Sequence, residues 1–475
     1  MLENPQSTTG LPQRPRSRGH RLPRRGLHRE AAQPKAAHIM NTTQQIDRDA
    51  AIAAPHRIDA LIAALFDDES FLPLGGVPAE PGGKTETPLA GVGQVHGKSV
   101  AFAAAPVHIG TQGRAFAGIL DHAQRTGCPL VLVSNFPSGN KSSAVMPAPM
   151  TGIARLVELS GLVPIVALEI GEGSTSGELV NALADFRVQI APKDGRNGSY
   201  TADHIEDGAA WVRDLLDVLP RNNCEFAAPT ELDGPDPSST LSGIVPDNPA
   251  EPYDVMQLVS ALSSNAPVVI NGEGPALVTA FVTIGGLTVS VVANQPAHRG
   301  GLLGPDEARK ASRFIRFCDA FNLPLLFLID TPGPSEPRTL DYAPYAQLAH
   351  ATAAASVPIA SVLLRRAHGL PANVFGAKAL GADVVLAWPS ATLAPAGLHR
   401  LVSADQPEEI DDTSRADALE QFRRTAADMD RALTDGLIDQ VVTPDETPWL
   451  LASWFQTLES KRKQGPAKKH GNFPL

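Results

Sequence analysis

Two glycine-bounded loops carry residue types and spacings that could do chemistry. The first, Gly171-Glu172-Gly173-Ser174-Thr175-Ser176-Gly177, follows an apolar run of strand length and precedes a helix-period segment. A nucleophile elbow of the form G-x-S-x-G wants serine at the centre of such a turn. Thr175 stands there instead. The loop also lacks the Gly-Lys-Ser/Thr of a phosphate-binding loop, so nucleotide hydrolysis is not indicated. The second loop is His368-Gly369-Leu370-Pro371-Ala372. His298, His350, His368 and His399 show none of the short spacings that ligate zinc. His368 either contacts a ligand or fills space on that loop. Asp330 precedes Thr331-Pro332-Gly333, a usual place for a turn-forming aspartate. The pair Arg365-Arg366 comes just before the second loop. It could meet ligand phosphates or an acidic partner, and ordinary solvated charge explains it equally well.

The loops need a scaffold, and the stretch from Tyr253 to Pro395 shows its plan. Apolar runs of strand length alternate with helix-period segments, and each run stops at Gly, Pro or Asn. That rhythm argues repeated β-β-α units and a buried sheet. The first half of the chain repeats the plan. The run Gly93 to Phe102 answers to Phe281 to Val291, each two strands about a His-Gly or Gly-Gly turn. Gly113–Gly139 answers to Glu307–Gly333, and Ala154–Gly173 to Ala346–Gly369, each a helix, a proline and a buried strand. Asn181 to Val188 answers to Lys378 to Val385. The proline pairs Pro129/Pro324 and Pro164/Pro358 are 195 and 194 residues apart. Such a constant offset argues two halves of one fold. Pro55 to Leu74, with Ile58, Leu61, Ile62 and Leu65 at helical spacing, reads as an entry helix.

The totals exclude some classes. The 475 residues suffice for two or three domains. No apolar run approaches the roughly 18 residues that span a bilayer. A net charge of −11 does not favour nucleic acid. Residues 1–39 form a basic, Arg/Pro-rich arm without apolar periodicity, read as disordered or as lying upstream of a true start at Met40. Residues 40–225 and 253–460 are the two expected domains. Between them, 226–252 has linker composition, and 461–475 is a basic tail. Cys128, Cys224 and Cys318 form no CxxC pair and read as core or surface thiols, which suggests a reducing, cytoplasmic setting.

Several of these motifs match a known family. Ile244-Val245-Pro246-Asp247, Pro252-Tyr253-Asp254-Val255, Ala293-Asn294-Gln295-Pro296, Arg316-Phe317-Cys318-Asp319-Ala320-Phe321, Gly381-Ala382-Asp383 to Trp388-Pro389 and Lys468 to Leu475 carry the likeness. The chain resembles the carboxyltransferase (β) subunits of biotin-dependent acyl-CoA carboxylases, such as propionyl-CoA carboxylase. The resemblance implies an α/β protein of two tandem crotonase-like ββα spiral domains (ClpP/crotonase superfamily). It also implies hexamers, with active sites shared between subunits. Biotin would arrive on a biotin carboxylase or biotin carrier partner, since no Ala-Met-Lys-Met attachment sequence is present.

Carboxyl transfer to an acyl-CoA develops charge on a thioester oxygen and on the biotin ureido oxygen. Paired backbone N–H groups at helix starts suit both. By resemblance, Thr175, Ser176, Gly369 and Leu370 supply those donors. Ser138, Gly139, Gly177, His368 and Asn373 line the substrate site, with Asn373 at the position that selects the acyl chain. The loops depart from the family pattern. Ser174-Thr175-Ser176-Gly177 replaces Ala-Gly-Gly-Ala. His368-Gly369-Leu370-Pro371-Ala372 replaces Tyr-Gly-Gly-Ala-Tyr, and Pro371 has no N–H. Asn135 to Lys141 replaces Asp-Ser-Gly-Gly-Ala-Arg, and the stretch from Val188 to Pro220 is short by a couple of dozen residues. Pro332-Gly333-Pro334 lacks the family's Phe and the longer loop after it. Three readings remain: a carboxyltransferase with modified loops, a non-catalytic paralogue that pairs with an active β subunit, and a diverted acyl-thioester decarboxylase or acyltransferase. The well-kept second half puts the first in the lead.

Overall fold

The computed structural model describes residues 58–74, 90–104, 113–134, 151–170, 179, 181–191, 198–229, 241–335, 341–394, 416–417, 420, 424, 428–461, 463, 472 and 474. Two sheets organise them. The first runs β1 (Leu72–Pro73), β2 (Ala90–Val95), β3 (Lys98–Ala104), β4 (Leu130–Ser134), β5 (Ile165–Ile170), β6 (Phe186–Ile190) and β7 (Tyr200–Ala202), in that spatial order. The second contains β8 (Val268–Ile270), β9 (Leu277–Ile284), β10 (Leu287–Asn294), β11 (Leu325–Thr331), β12 (Ile359–His368), β13 (Val384–Ala387), β14 (Thr392–Ala394) and β15 (Gln440–Val441). Its order is β15-β13-β12-β11-β10-β9-β8, with β14 beside β12.

The expected repeat is present strand for strand. Each sheet has an antiparallel hairpin, β2–β3 or β9–β10, followed by four parallel additions, β4 to β7 in the first and β11, β12, β13 and β15 in the second. Each hairpin turns through two residues of positive φ: His96 and Gly97 in the first, Gly285 and Gly286 in the second. Two such residues give the I′ type of turn that matches strand twist. The helices Gly113–Thr126 and Pro305–Ala320 each precede a proline and a buried strand. Thr151–Leu159 and Ala343–Ala354 do the same one unit later. The central parallel strands of the second sheet are buried on both faces, as β11 and β13 show at every position. That is what apolar runs without alternation predict for parallel strands under helices.

The two sheets share one core. Phe186 on β6 packs against Phe317 of the helix Pro305–Ala320, with ring centroids 4.7 Å apart, and against Phe281 on β9 at 6.3 Å.

The entry helix is shorter than its spacing suggests. Among the described residues it covers 58–65, and the chain then turns and pairs β1 with β2 instead of running helical to Leu74. The Asp67 carboxylate accepts from the His96 and Gly97 amides at 3.2 and 2.8 Å and from Arg213 at 2.9 Å. Those bonds hold its carboxyl below the usual range. A charged turn tied to the hairpin overrides helical periodicity here. No helix among the described residues is long and apolar enough to cross a membrane.

Candidate functional site

In an open parallel sheet, the loops at the carboxyl ends of the strands converge. β11 ends at Thr331 and β12 at His368, so the Thr331–Gly333 turn and the second glycine loop emerge side by side. His368 closes β12 and serves as N-cap to a six-residue helix, Gly369–Val374. Gly369 has φ +73, which excludes most side chains at that corner. At a helix start the first amides have no carbonyl four residues back. Gly369 and Leu370 therefore have no intrahelical acceptor. Pro371 comes third and contributes none, while its carbonyl accepts from Phe375 at 2.9 Å.

His368 is buried at 4% exposure. Its Nε2 lies 2.8 Å from Thr392 Oγ1, and the Thr392 hydroxyl donates to the Arg365 carbonyl at 3.1 Å. With that one hydroxyl proton committed, Oγ1 is an acceptor toward the ring, and His368 is the Nε2–H tautomer. Burial, and then the neighbouring Arg366, push its pKa down to about 4. The imidazole is neutral and its proton is engaged inside the fold, so His368 fills and orients the loop.

Asn373 faces a cavity of about 510 Å³ whose walls include Ile329, Leu363, Ala372 and Leu393. Its Nδ2 donates to the Gly369 carbonyl at 3.2 Å, tying the helix back onto the glycine. The cavity is of the size that encloses small ligands. Lys378 lines it too, but its Nζ is held by Asp439 at 2.6 Å and by the Asp383 carbonyl at 2.8 Å. The structure thus brings His368, Gly369, Leu370 and Asn373 together. Thr175, Ser176, Gly177, Ser138 and Gly139 lie outside the described residues.

The arginine pair and Asp330 differ from the sequence expectation. Neither arginine is ordinary solvated charge. Arg365 is 1% exposed, and its Nε donates to Asp330 Oδ2 at 2.8 Å. Arg366 Nε donates to Asp330 Oδ1, also at 2.8 Å. Asp330 is fully buried and is the counter-ion of both, not a turn-former at the surface. The physical reason is pairing: two guanidiniums can enter a sheet interior only with a carboxylate between them.

A related cluster flanks the first loop and carries only a faint sequence signal. Glu169, 7% exposed near the end of β5, accepts from Arg187 Nη2 at 2.7 Å, Asn181 Nδ2 at 2.6 Å and Gln189 Nε2 at 3.1 Å. It ties together the residues on either side of Gly171–Gly177. An acidic residue inside an otherwise apolar strand was the available clue.

Comparison with known proteins bears on this geometry. The family model described as "Carboxyl transferase domain" matches residues 163–473. The propionyl-CoA carboxylase beta chain of Saccharopolyspora erythraea is 30% identical over 422 residues, covering 76% of this chain and 77% of that one. The methylmalonyl-CoA carboxyltransferase 12S subunit of Propionibacterium freudenreichii subsp. shermanii is 30% identical over 415 residues, covering 77% and 78%. Among solved structures, the transcarboxylase 12S crystal structure superposes with a TM-score of 0.77 at 24% identity, over 95% of this chain and 100% of that one. That likeness carries the expected pair of crotonase-like domains.

Proposed function

This chain belongs to the carboxyl transferase domain family, and from that premise we propose that it moves a carboxyl group from biotin on a partner chain to the α-carbon of an acyl-CoA. The observation that supports this reading most is the start of the helix Gly369–Val374. Two amides without an intrahelical partner begin a helix whose Ala372 and Asn373 line a 510 Å³ cavity, at the carboxyl ends of parallel strands. The reaction needs fixed dipoles where charge gathers on oxygen, and backbone amides supply them without titrating.

The donor set suits one such oxygen. When bound, biotin supplies the carboxyl group and a ureido oxygen that gains negative charge. The Gly369 and Leu370 amides receive that oxygen. Neutral His368 adds no charge of its own, and its proton stays with Thr392. Asn373, at the cavity wall, meets the acyl chain and selects among chain lengths. Thr175 and Ser176 hold the thioester oxygen in this reading, with Ser138, Gly139 and Gly177 around the substrate. The family match supports the modified carboxyltransferase over the non-catalytic paralogue and the diverted enzyme. A homo-hexamer and a cytoplasmic location are part of the same proposal. The hexamer rests on the transcarboxylase 12S assembly, and the location on three free cysteines.

The test is a product assay. The purified chain is incubated with a carboxylated biotin carrier and a panel of acyl-CoAs of increasing chain length. A carboxylated acyl-CoA is expected from at least one of them. No product from any, with the carrier demonstrably carboxylated, would reject the reading.

A further inference from the structure

β12 is not a regular strand. Its pairing with β11 keeps one register from Leu325↔Ile359 to Ile329↔Leu363, then resumes at Thr331↔Ala367. Leu364, Arg365 and Arg366 thus oppose the single residue Asp330, two more than a regular ladder allows. At the same point β12 changes its other neighbour. It pairs with β13 up to Leu363↔Ala387 and with β14 from Arg366↔Thr392.

Consecutive side chains of a strand point to opposite faces. Here two consecutive arginines grip one carboxylate, Arg365 on Oδ2 and Arg366 on Oδ1, both at 2.8 Å. Only the extra residues permit that, and the shared carboxylate in turn holds the extra residues in place. Bulges of this kind re-aim the chain beyond them. Immediately beyond this one lies His368-Gly369-Leu370.

Asp330 is also the meeting point of four separate segments. Its amide donates to Asn294 Oδ1 at 3.1 Å, at the end of β10. Its carbonyl lies so close to Gly301 that a Cβ there would collide with it. Through Arg366 it reaches the Gly300 carbonyl at 3.0 Å. Through Arg365 Nη1 it reaches the carbonyls of Pro246, Asn248 and Glu251, at 3.2, 2.8 and 3.0 Å. The Arg365 guanidinium lies over the Tyr253 ring, 4.7 Å from its centroid.

We propose that Asp330 is the positioning residue of the second glycine loop. Clamped between Arg365 and Arg366, it fixes the bulge in β12 and so sets where the Gly369 and Leu370 amides point. The kinetic half of this inference rests on the carboxyltransfer reading, but the geometric half does not. Asp330→Asn keeps the shape and removes the charge, leaving two buried guanidiniums with no counter-ion.

The experiment compares the full chain with its Asp330→Asn, Arg366→Lys and Arg366→Met variants, by hydrogen exchange and by steady-state kinetics. Exchange over residues 364–373 is expected to speed up at least tenfold in Asp330→Asn and Arg366→Met, with β9 and β13 unchanged. Arg366→Lys keeps the charge and should remain near the parent. kcat should fall about 100-fold in the first two variants, the scale of an ångström-level misplacement, with KM for acyl-CoA within about threefold. Unchanged exchange over 364–373, or faster exchange spread evenly over the sheet, would overturn the proposal. So would local loosening with kcat unaltered. Should Asp330→Asn fail to fold, the Lys/Met pair at 366 decides alone. A parent chain with no transfer activity would reject the functional reading and leave the exchange result to judge the clamp.

Discussion

Asp185 and Asp383 make the same two bonds, one in each half of the molecule. Asp185 Oδ2 accepts from the Ile165 amide at 2.9 Å, and Asp383 Oδ2 from the Ile359 amide at 2.8 Å. Each aspartate amide returns a bond to the carbonyl of the same isoleucine, at 2.8 Å in both cases. The prolines repeat as well. The Pro129 and Pro324 carbonyls accept from Ala101 and Ser290, and those of Pro164 and Pro358 from Leu130 and Leu325. The duplication is therefore chemical as well as topological. The halves differ in what else reaches the aspartate. Lys461 Nζ meets Asp383 at 2.6 Å, whereas no lysine among the described residues bonds Asp185, whose main neighbouring charge is Arg313.

That difference predicts opposite effects from one substitution. Burial pushes the Asp185 carboxyl up to about 6, above its unfolded value of about 3.9. A group raised in the fold lends stability below its unfolded pKa and loses it as pH rises through the folded one. Asp185→Asn keeps an oxygen for Ile165 and has no charge to bury. Its melting temperature should match the parent near pH 4 and exceed it above pH 6. Asp383→Asn leaves Lys461 its bond to the Val357 carbonyl but removes the carboxylate it pairs with, and should cost about 2 kcal/mol at neutral pH. Thermal melts from pH 4 to 8 check both.

His368 predicts acid sensitivity. Its folded pKa, about 4, lies below the ordinary 6.5. Above pH 6.5 it is neutral folded or unfolded and contributes nothing. As pH falls from 6.5 through 4, the unfolded chain takes up a proton that the fold refuses, and stability is lost. His368→Asn should remove that part of the acid slope. Melts between pH 4 and 7 would show equal slopes if the ring were solvated.

Pro371 predicts a gain of function. Replacing Leu370 and Pro371 together by Gly and Ala supplies an amide at the third helix position. One added oxyanion donor is worth about 10²–10³ in rate, so kcat should rise by up to that factor with the melting temperature nearly unchanged. An unaltered kcat would mean that the third position faces away from the reacting oxygen.

The sequence carried the scaffold well because the scaffold is local. Proline–strand junctions, two-residue turns and apolar runs each report on a few neighbouring residues, and their repetition revealed both halves. The second loop was legible for the same reason, as a glycine between a strand and a short helix. The Arg365–Asp330–Arg366 clamp was not. It depends on a register shift between strands, and consecutive arginines in an unshifted strand would point apart. The role of Glu169 is not legible in its strand because its partners, Asn181, Arg187 and Gln189, come from beyond the loop it braces. The entry helix ends sooner than its spacing implies because periodicity cannot report that Asp67 is needed by a hairpin nearly thirty residues away.

Asn373 predicts specificity. Its side chain borders the 510 Å³ cavity, so Asn373→Leu should shift preference toward longer acyl chains. A methylene in such a pocket is worth about 1–3 kcal/mol. The ratio of kcat/KM for adjacent chain lengths should change at least tenfold, while kcat for the preferred substrate changes little.

The most direct test asks whether biotin touches the amides of the second glycine loop. Hydrogen exchange of the full chain is measured with and without saturating biotin carrier domain. Exchange should slow at Gly369 and Leu370, with the matching strand end at Ile170 unaffected. Demonstrable carrier binding that leaves Gly369 and Leu370 exchanging at their unbound rates would contradict the proposed role of these amides.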